Sequence, residues 1–319
     1  MNYFLFLPSV ILFYFLLKYN YKIAEHFKLL DQPNIEKHKK HLVPVPATGG
    51  IFLFFFVLCY HLLHNNNNFT DYNFLFLFFG FFIIGLLDDI FKIKSYHRLI
   101  VLIILSYLYL LIDKEIIINS FYSDIFSQII YTHFFNIIFT VICLVTIFII
   151  FNMLDGIDGL MITYSLSIFV ILLSIKFNLF ILFASMLLLL LLYLNLNKKL
   201  FLGNSGVGIL SAIIGYYLID YSNFNPEKMS EVKILILLFL PFIDFLRLTF
   251  ERLAMKKNPL KADNNHFHHF FFKKNLLLLL IPFYIIISYS LSFWIPILTL
   301  SISIILYSIL LFRFRIKNE

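Results

Sequence analysis

Residues 134–164 read FFNIIFTVICLVTIFIIFNMLDGIDGLMITY, an apolar stretch that two Asp-Gly steps interrupt near its end. A helix needs about 20 mostly apolar residues to cross the hydrocarbon core of a bilayer. Asp and Asn inside such a stretch are costly and therefore indicate function. The stretch predicts two membrane spans, 134–151 and 159–175, joined by a polar turn at 152–158.

The same apolar character continues along the whole chain. Of its 319 residues, 61% are apolar and 13% are charged, and the mean hydropathy is +0.91, whereas about 25% of the residues in a soluble domain are charged. This composition excludes a water-soluble fold. Further apolar runs predict spans at 3–19, 49–64, 72–87, 97–112, 179–194, 206–220, 232–248, 275–291 and 296–312.

We therefore predict an all-α polytopic membrane protein in a single domain, residues 1–319, with about eleven transmembrane helices. Ten helices result if the last two runs form one broken unit around Pro296. The basic residues predict the orientation, because cytoplasmic loops carry an excess of Lys and Arg. The N-terminus is then periplasmic, the C-terminus is cytoplasmic, and the cytoplasmic loops lie near 20–48, 88–97, 152–158, 195–206 and 249–274.

This orientation accounts for the net charge of +7 without a nucleic-acid partner. Nearly all of the 25 basic residues fall on the cytoplasmic side, and the four exceptions are Lys114, Lys176, Lys228 and Lys233.

Two adjacent carboxylates, Asp88 and Asp89, end the third predicted span on its cytoplasmic side. Adjacent carboxylates repel each other unless they share a cation or a proton, so the pair indicates a divalent metal or a cationic partner. A solvated helix end explains the pair equally well.

The polar turn holds Asn152, Asp155 and Asp158. Two Asp-Gly steps let the backbone turn sharply and can aim two carboxylates, three residues apart, to one side as oxygen ligands for Mg²⁺. A plain turn needs only one such step, which favours a functional role.

Glycines also precede the eighth predicted span, in Phe201-Leu-Gly203-Asn204-Ser205-Gly206. Such glycines can let backbone N–H groups approach a phosphate at a helix N-terminus. Small residues also allow close helix packing in lipid.

Three histidines, His266, His268 and His269, lie in the last cytoplasmic loop. They could bind zinc, relay protons or hold an anionic phosphate. Phosphate binding is favoured because several basic residues lie nearby, namely Arg247, Arg252, Lys256 and Lys257.

Together these groups are the parts of a Mg²⁺-dependent phosphoryl-transfer site, in which catalysis is mainly positioning and charge neutralisation. Its position at the membrane surface suggests one nucleotide substrate and one lipid substrate. A cation-coupled secondary transporter is the alternative, but it would carry its carboxylates near mid-membrane and show repeated halves.

Five motifs follow one another between Asp31 and His269. They are Asp31-Gln-Pro33-Asn34 with His41-x-x-Pro44-x-Pro46-x-x-Gly49-Gly50, Leu87-Asp88-Asp89, Asn152 to Leu160, Phe201 to Val207, and His266-x-His268-His269. In this order, and with eleven spans, they resemble the polyprenyl-phosphate N-acetylhexosamine-1-phosphate transferases of glycosyltransferase family 4. The topology looks like that of the bacterial N-acetylglucosamine-1-phosphate branch.

The resemblance implies transfer of a sugar 1-phosphate from a UDP-N-acetylhexosamine, with UDP-N-acetylglucosamine as the default, to undecaprenyl phosphate, with release of UMP. It implies a multi-pass protein of the bacterial inner membrane with its active site on the cytoplasmic face. The product would start the synthesis of a cell-envelope polysaccharide such as lipopolysaccharide. Assembly of the protein into a homodimer remains an alternative to a monomer.

The resemblance also implies roles for individual residues. Mg²⁺, which Mn²⁺ could replace, would be held by Asn204 with Asp155 or Asp158. Asp88 would act as the base and Asp89 would assist, so that the expected catalytic residues are these two with Asp155 and Asp158. The expected substrate-binding residues are Asn152, Lys37, His41, Arg252, His266, His268 and His269.

One departure from the family pattern concerns the metal site. Asn204 stands where family members have a Mg²⁺-binding aspartate, and Asn keeps a carbonyl oxygen but removes one negative charge. The alternative that the chain is an inactive family member that acts as a binding protein therefore remains. A phospho-N-acetylmuramoyl-pentapeptide transferase is a further alternative, although that branch typically shows three consecutive histidines. Asn264 is a smaller departure, since arginine is common at that position.

Overall fold

The computed structural model of the chain describes residues 3–32, 43–64, 73–257, 267 and 274–318. The helices are α1 (Tyr3–His26), α2 (Gly49–His64), α3 (Asn73–Phe91), α4 (Ser95–Ile112), α5 (Asn136–Leu154), α6 (Leu160–Ile175), α7 (Leu179–Leu196), α8 (Gly203–Phe224), α9 (Glu231–Leu237), α10 (Phe239–Ala254), α11 (Lys274–Leu291) and α12 (Pro296–Asn318). The strands are β1 (Leu30–Asp31), β2 (Val45–Pro46), β3 (Ser120–Ser123) and β4 (Gln128–Tyr131).

Several helices are long and apolar enough to cross a membrane. Within the described ranges these are Asn73–Phe91, Ser95–Ile112, His133–Leu154, Leu179–Leu196 and Pro296–Arg313. Three shorter apolar helices cover Gly49–Leu63, Leu160–Ile175 and Leu276–Ser292. The chain is thus a mainly α-helical, multi-pass membrane protein. The eleven crossings and the sides on which the termini lie stay predictions.

Each predicted span corresponds to helix, and the ninth is divided between α9 and α10. The division is explained by Pro241, which has no N–H to donate to the carbonyl of Leu237 four residues earlier. That carbonyl instead accepts a hydrogen bond of 2.7 Å from the Tyr164 hydroxyl of α6. A side chain therefore satisfies the backbone group that the proline leaves without its helical partner.

The chain forms two compact units, and residues 1–114 and 178–213 make up the first. Here α2 packs against α1, α3 and α7, and α3 packs against α4. The core is aromatic, because Phe52, Phe78 and Phe81 are almost fully buried and the rings of Phe54 and Phe82 stack at 4.4 Å. This packing fixes the last turn of α3 and the first turn of α8 within one unit.

The second unit comprises residues 115–177 and 214–319. Its α6 packs against α11 and its α5 against α10, around buried aromatic side chains such as Phe148, Phe151 and Phe169. Consequently the polar turn between α5 and α6 lies in the same unit as α10.

Two antiparallel two-stranded sheets, β1–β2 and the hairpin β3–β4, interrupt the helical pattern, and neither was predicted. In the second unit Glu231, at the start of α9, holds the β3–β4 loop by accepting hydrogen bonds from the Ser123 hydroxyl at 2.7 Å and the Asp124 N–H at 3.0 Å. Lys233 forms a buried ion pair of 3.2 Å with Asp124. The hairpin is therefore attached to α9 by a charged cluster.

Candidate active site

The paired carboxylates lie inside the last turn of α3 rather than in a loop. Helix α3 continues to Phe91, so only residues 92–94 separate it from α4, and the connection is shorter than the predicted loop at 88–97. Asp88 and Asp89 are 6% and 9% exposed. A buried carboxylate needs partners, and each of the two has its own.

Asp88 is ion-paired with Arg98 in the first turn of α4. The three-residue connection brings the start of α4 back to the end of α3, which places a cation against the carboxylate. Sequence reasoning missed Arg98 as a site residue. A basic residue ten positions after an acidic pair, across a predicted helix-to-helix turn, was the available signal.

Asp89 caps the N-terminus of α8. Its carboxylate accepts hydrogen bonds from the backbone N–H groups of Asn204 at 2.8 Å and Ser205 at 2.9 Å. These N–H groups belong to the first turn, where they have no helical acceptor, and the helix dipole favours a negative charge there. Asp89 thus links the aspartate motif, Leu87-Asp88-Asp89, directly to the glycine-rich motif, Phe201 to Val207.

The glycines of these motifs permit the close approach of three helices. Gly85 of α3 lies so near α8 that a Cβ at this position would be 2.2 Å from the Asn204 carbonyl oxygen. Gly203 has a φ of +73°, and a Cβ there would be 2.9 Å from an Asp89 carboxylate oxygen. Gly49 and Gly50, which open α2, donate N–H hydrogen bonds of 3.0 Å to the carbonyls of Phe201 and Leu202. Three of the five motifs therefore meet in the first unit.

Asn204, the departure from the family pattern, is half-buried at this meeting point. Its backbone binds Asp89, whereas its side-chain amide has no hydrogen-bond partner among the residues that the structure describes. The amide oxygen is thus able to bind a cation or a substrate hydroxyl.

The second unit holds the other predicted carboxylates. Asn152 lies in the last turn of α5 and is half-buried, Asp155 is exposed where that helix ends, and Asp158 is half-buried one residue before Gly159. Gly159 has a φ of +83° and precedes α6. The turn between α5 and α6 thus carries both Asp155 and Asp158.

Phe267, the described residue of the histidine motif His266 to His269, belongs to the second unit. Phe267 lines a pocket with Leu154, the last residue of α5, with Leu160, the first residue of α6, and with Asp244 of α10. The structure therefore brings Phe267 close to the end of α5 and the start of α6. Arg252, predicted to bind substrate, is buried near the end of α10.

Five predicted substrate-binding residues lie outside the described part of the chain. They are Lys37, His41, His266, His268 and His269.

The donor chemistry fits a magnesium site. Mg²⁺ is usually bound by one or two protein carboxylates together with substrate phosphate and water, and Asp155 and Asp158 provide two carboxylates on one short turn. Across the described ranges no group of three or more His, Cys, Asp or Glu side chains is arranged to hold a metal. A site built from these two carboxylates would thus need further oxygen atoms, from substrate phosphate or from water.

Comparison with known proteins gives a consistent result. The sequence model of the family described as Glycosyl transferase family 4 matches residues 72–222. A Yersinia pestis protein named undecaprenyl-phosphate alpha-N-acetylglucosaminyl 1-phosphate transferase is 24% identical over 258 residues, which cover 77% of this chain and 70% of the relative. A Thermotoga maritima protein of the same name is 29% identical over 246 residues, covering 76% and 72%. A Pasteurella multocida protein of that name is 36% identical over 76 residues, covering 24% and 21%.

Proposed function

Since the chain belongs to glycosyl transferase family 4, we propose that it transfers N-acetylhexosamine 1-phosphate from a UDP-sugar to undecaprenyl phosphate and releases UMP. UDP-N-acetylglucosamine is the proposed donor, because the relatives are named for N-acetylglucosaminyl 1-phosphate transfer to undecaprenyl phosphate. The reaction would take place at the cytoplasmic face of the bacterial inner membrane and would start the synthesis of a cell-envelope polysaccharide.

The observation that carries this proposal is the contact between the paired carboxylates and the start of α8. Asp89 joins α3 to the backbone at Asn204 and Ser205, while its neighbour Asp88 pairs with Arg98. Carboxylates, a guanidinium and helix N–H groups are thereby collected in one small region. Phosphoryl transfer relies mainly on such positioning and charge stabilisation, so this arrangement supports the reaction.

In the proposed reaction Asp88 would orient the attacking phosphate of the lipid and accept its remaining proton. A phosphate monoester has a second pKa near 6, so much of the lipid substrate carries no proton at neutral pH. Orientation is then the larger part of the contribution of Asp88. Arg98 would attract the same phosphate, because a guanidinium binds phosphate oxygens in a two-pronged geometry.

Asp89 would act through the backbone that it holds. By fixing the N–H groups of Asn204 and Ser205, it would keep the first turn of α8 and the Asn204 amide in position. Asp89 is thus a positioning residue in this proposal, which refines the assisting catalytic role predicted for it.

The second unit would contribute the metal-binding and nucleotide-binding groups. Asp155 and Asp158 would hold Mg²⁺, with Asn204 as a further ligand, and the ion would neutralise charge on the pyrophosphate of the donor. Asn152 and Arg252 would bind the donor, with Arg252 as a phosphate ligand. We propose the same anion-binding role for Lys37, His41, His266, His268 and His269, on the basis of their motifs.

A donor panel tests the proposal. Purified protein in lipid nanodiscs is mixed with undecaprenyl phosphate and radiolabelled UDP-N-acetylhexosamines, with and without Mg²⁺, and labelled lipid and UMP are measured together. We expect both products from UDP-N-acetylglucosamine, and only with the metal. Asp88→Asn should reduce the rate strongly, whereas Glu231→Gln, which alters the hairpin cluster, is the matched control and should keep most activity.

The Asn204→Asp variant separates the remaining outcomes. If wild type is inactive with every donor while this variant works, the native metal site is impaired, as expected for an inactive family member that acts as a binding protein. If both proteins fail with every donor, the proposed transfer from UDP-N-acetylhexosamines is wrong.

A further inference from the structure

A buried carboxylate outside the predicted motifs, Asp244 of α10, binds the backbone of the histidine motif. Its two oxygens both lie 3.2 Å from the backbone nitrogen of Phe267, whose N–H they share. Phe267 is the central residue of His266-Phe-His268. The contact therefore joins α10 to the motif at its middle position.

Other side chains hold this carboxylate in place. One oxygen of Asp244 accepts hydrogen bonds from Arg247 at 2.7 Å and from the Tyr307 hydroxyl of α12 at 2.8 Å. Arg247 also donates to the Tyr307 oxygen at 2.9 Å and forms an ion pair of 3.1 Å with Glu251. A buried charge that is paired and hydrogen-bonded on several sides has little freedom to move, so Asp244 is a rigid acceptor.

Packing adds a second restraint on Phe267. Its side chain is buried and lies against the Tyr307 ring, with centroids 4.9 Å apart, in a cluster that includes Phe239. The backbone and the ring of Phe267 are thus fixed by the same two residues, Asp244 and Tyr307. Consecutive Cα atoms are only about 3.8 Å apart, so restraint of Phe267 also restricts the residues on either side.

We call the contact between Asp244 and the backbone N–H of Phe267 the anchor. Its location agrees with a functional role. Asp244 and Phe267 line one pocket together with Leu154, where α5 ends, and Leu160, where α6 begins. Loss of the contact between Asp244 and Phe267 would therefore let Phe267 shift relative to the ends of the two helices that the turn carrying Asp155 and Asp158 joins. Loss of positioning by a fraction of an ångström to 1 Å reduces catalysis markedly.

We propose that Asp244 is a positioning residue for the histidine motif, which it holds through the backbone N–H of Phe267. This inference rests on the proposed function, because the motif is taken to bind phosphate in that reaction. Asp244 itself would not touch substrate. Its effect on turnover would pass through the histidines.

A double-mutant cycle measures that dependence. We expect Asp244→Asn to lower kcat/KM about tenfold, since a hydrogen bond to a charged group is weakened. His268→Ala should lower it further. If Asp244 acts through the motif, the double variant should be no slower than His268→Ala alone, because coupled residues give non-additive effects. Rate losses that simply multiply would overturn the proposal.

A labelling experiment tests the anchor without turnover. In a Cys59→Ala, Cys143→Ala background, His268→Cys introduces a single thiol whose reaction with a water-soluble maleimide is timed, with and without Asp244→Asn. We expect labelling about tenfold faster when the anchor is weakened. Equal rates would overturn the proposal even if transfer activity is normal, and a rate increase would support it even if the proposed transfer fails.

Two further variants guard against a general loss of structure. Tyr307→Phe removes one donor to Asp244 but keeps the ring against Phe267, so it should increase labelling by a smaller factor. This variant decides the question if Asp244→Asn does not fold. Glu231→Gln alters a different charged cluster in the same unit and should leave the labelling rate unchanged. Equal acceleration by Glu231→Gln would mean general loosening and would overturn a specific anchor.

Discussion

The role of Asp89 as the cap of α8 leads to a quantitative prediction for Asp89→Asn. In the native protein both carboxylate oxygens accept backbone N–H groups, from Asn204 at 2.8 Å and from Ser205 at 2.9 Å. An amide of the same size keeps one acceptor oxygen. Its NH₂ group, however, would face the second backbone N–H, and two donors cannot bond to each other.

The expected magnitude follows from these two bonds. A hydrogen bond to a charged group contributes about 1.5–3 kcal/mol, and a neutral one about 1 kcal/mol. Replacing two charged bonds by one neutral bond and one unsatisfied N–H should lower the free energy of unfolding by about 2–5 kcal/mol. This is a large part of the 5–15 kcal/mol typical of a folded domain.

The assay is SDS-induced unfolding from mixed micelles. A thiol-reactive dye reports when Cys59 and Cys143, both half-buried, become accessible. The matched control is Asp88→Asn, an identical change one residue earlier in the same helix turn. Its amide oxygen can still accept a hydrogen bond from Arg98, so its stability loss should be only about 1 kcal/mol.

The reasoning is refuted if Asp89→Asn unfolds like wild type, within about 0.5 kcal/mol. Asp89 would then contribute to activity by some route other than holding α8.

Three further predictions concern neighbouring features. Gly85→Ala should destabilise the protein by about 1–3 kcal/mol and lower its activity, because the new Cβ would lie 2.2 Å from the Asn204 carbonyl oxygen. In the control Gly80→Ala the Cβ meets only a flexible Leu105 methyl at 3.0 Å, so the loss should be small. Equal midpoints of SDS unfolding for the two variants would contradict this reasoning. Asn204→Asp should reduce the Mg²⁺ concentration that gives the half-maximal transfer rate roughly tenfold. A metal titration of the transfer reaction measures this concentration, and an unchanged concentration would exclude residue 204 as a ligand. Asp124→Ala leaves Lys233 buried without its ion-pair partner and should cost about 3–5 kcal/mol in SDS unfolding, while the turnover of the protein that remains folded stays normal.

The fold was largely predictable from the sequence because bilayer thickness sets the length of an apolar run. Each predicted span corresponds to helix, since a backbone in lipid must satisfy its own hydrogen bonds. The break between α9 and α10 could have been predicted from Pro241. Its stabilisation by the Tyr164 hydroxyl could not, because that contact joins residues 73 positions apart.

The candidate site was predictable in its motifs but not in its contacts. Asp88 and Asp89 were recognised as a pair, yet their different partners, Arg98 and the start of α8, depend on how α3, α4 and α8 pack. Spacing along one chain does not give that packing.

Asp244 is a different case, because the sequence did contain a signal. An acidic residue in a run predicted to span the membrane is a functional candidate by default, and Asp244 lies within the run at 232–248. Its partners come from α10, from α12 and from the histidine motif. The sequence could therefore identify the residue, but only the structure gives the backbone group that it binds.

The position of the label within the donor tests the central claim most directly. UDP-N-acetylglucosamine carrying ³²P at the β-phosphate is incubated with undecaprenyl phosphate, Mg²⁺ and the purified protein, and the lipid and nucleotide products are separated. Transfer of the sugar together with its phosphate predicts that the label enters the lipid and that unlabelled UMP is released. Label that appears in UDP would mean transfer of the sugar alone, and this result would contradict the proposed reaction.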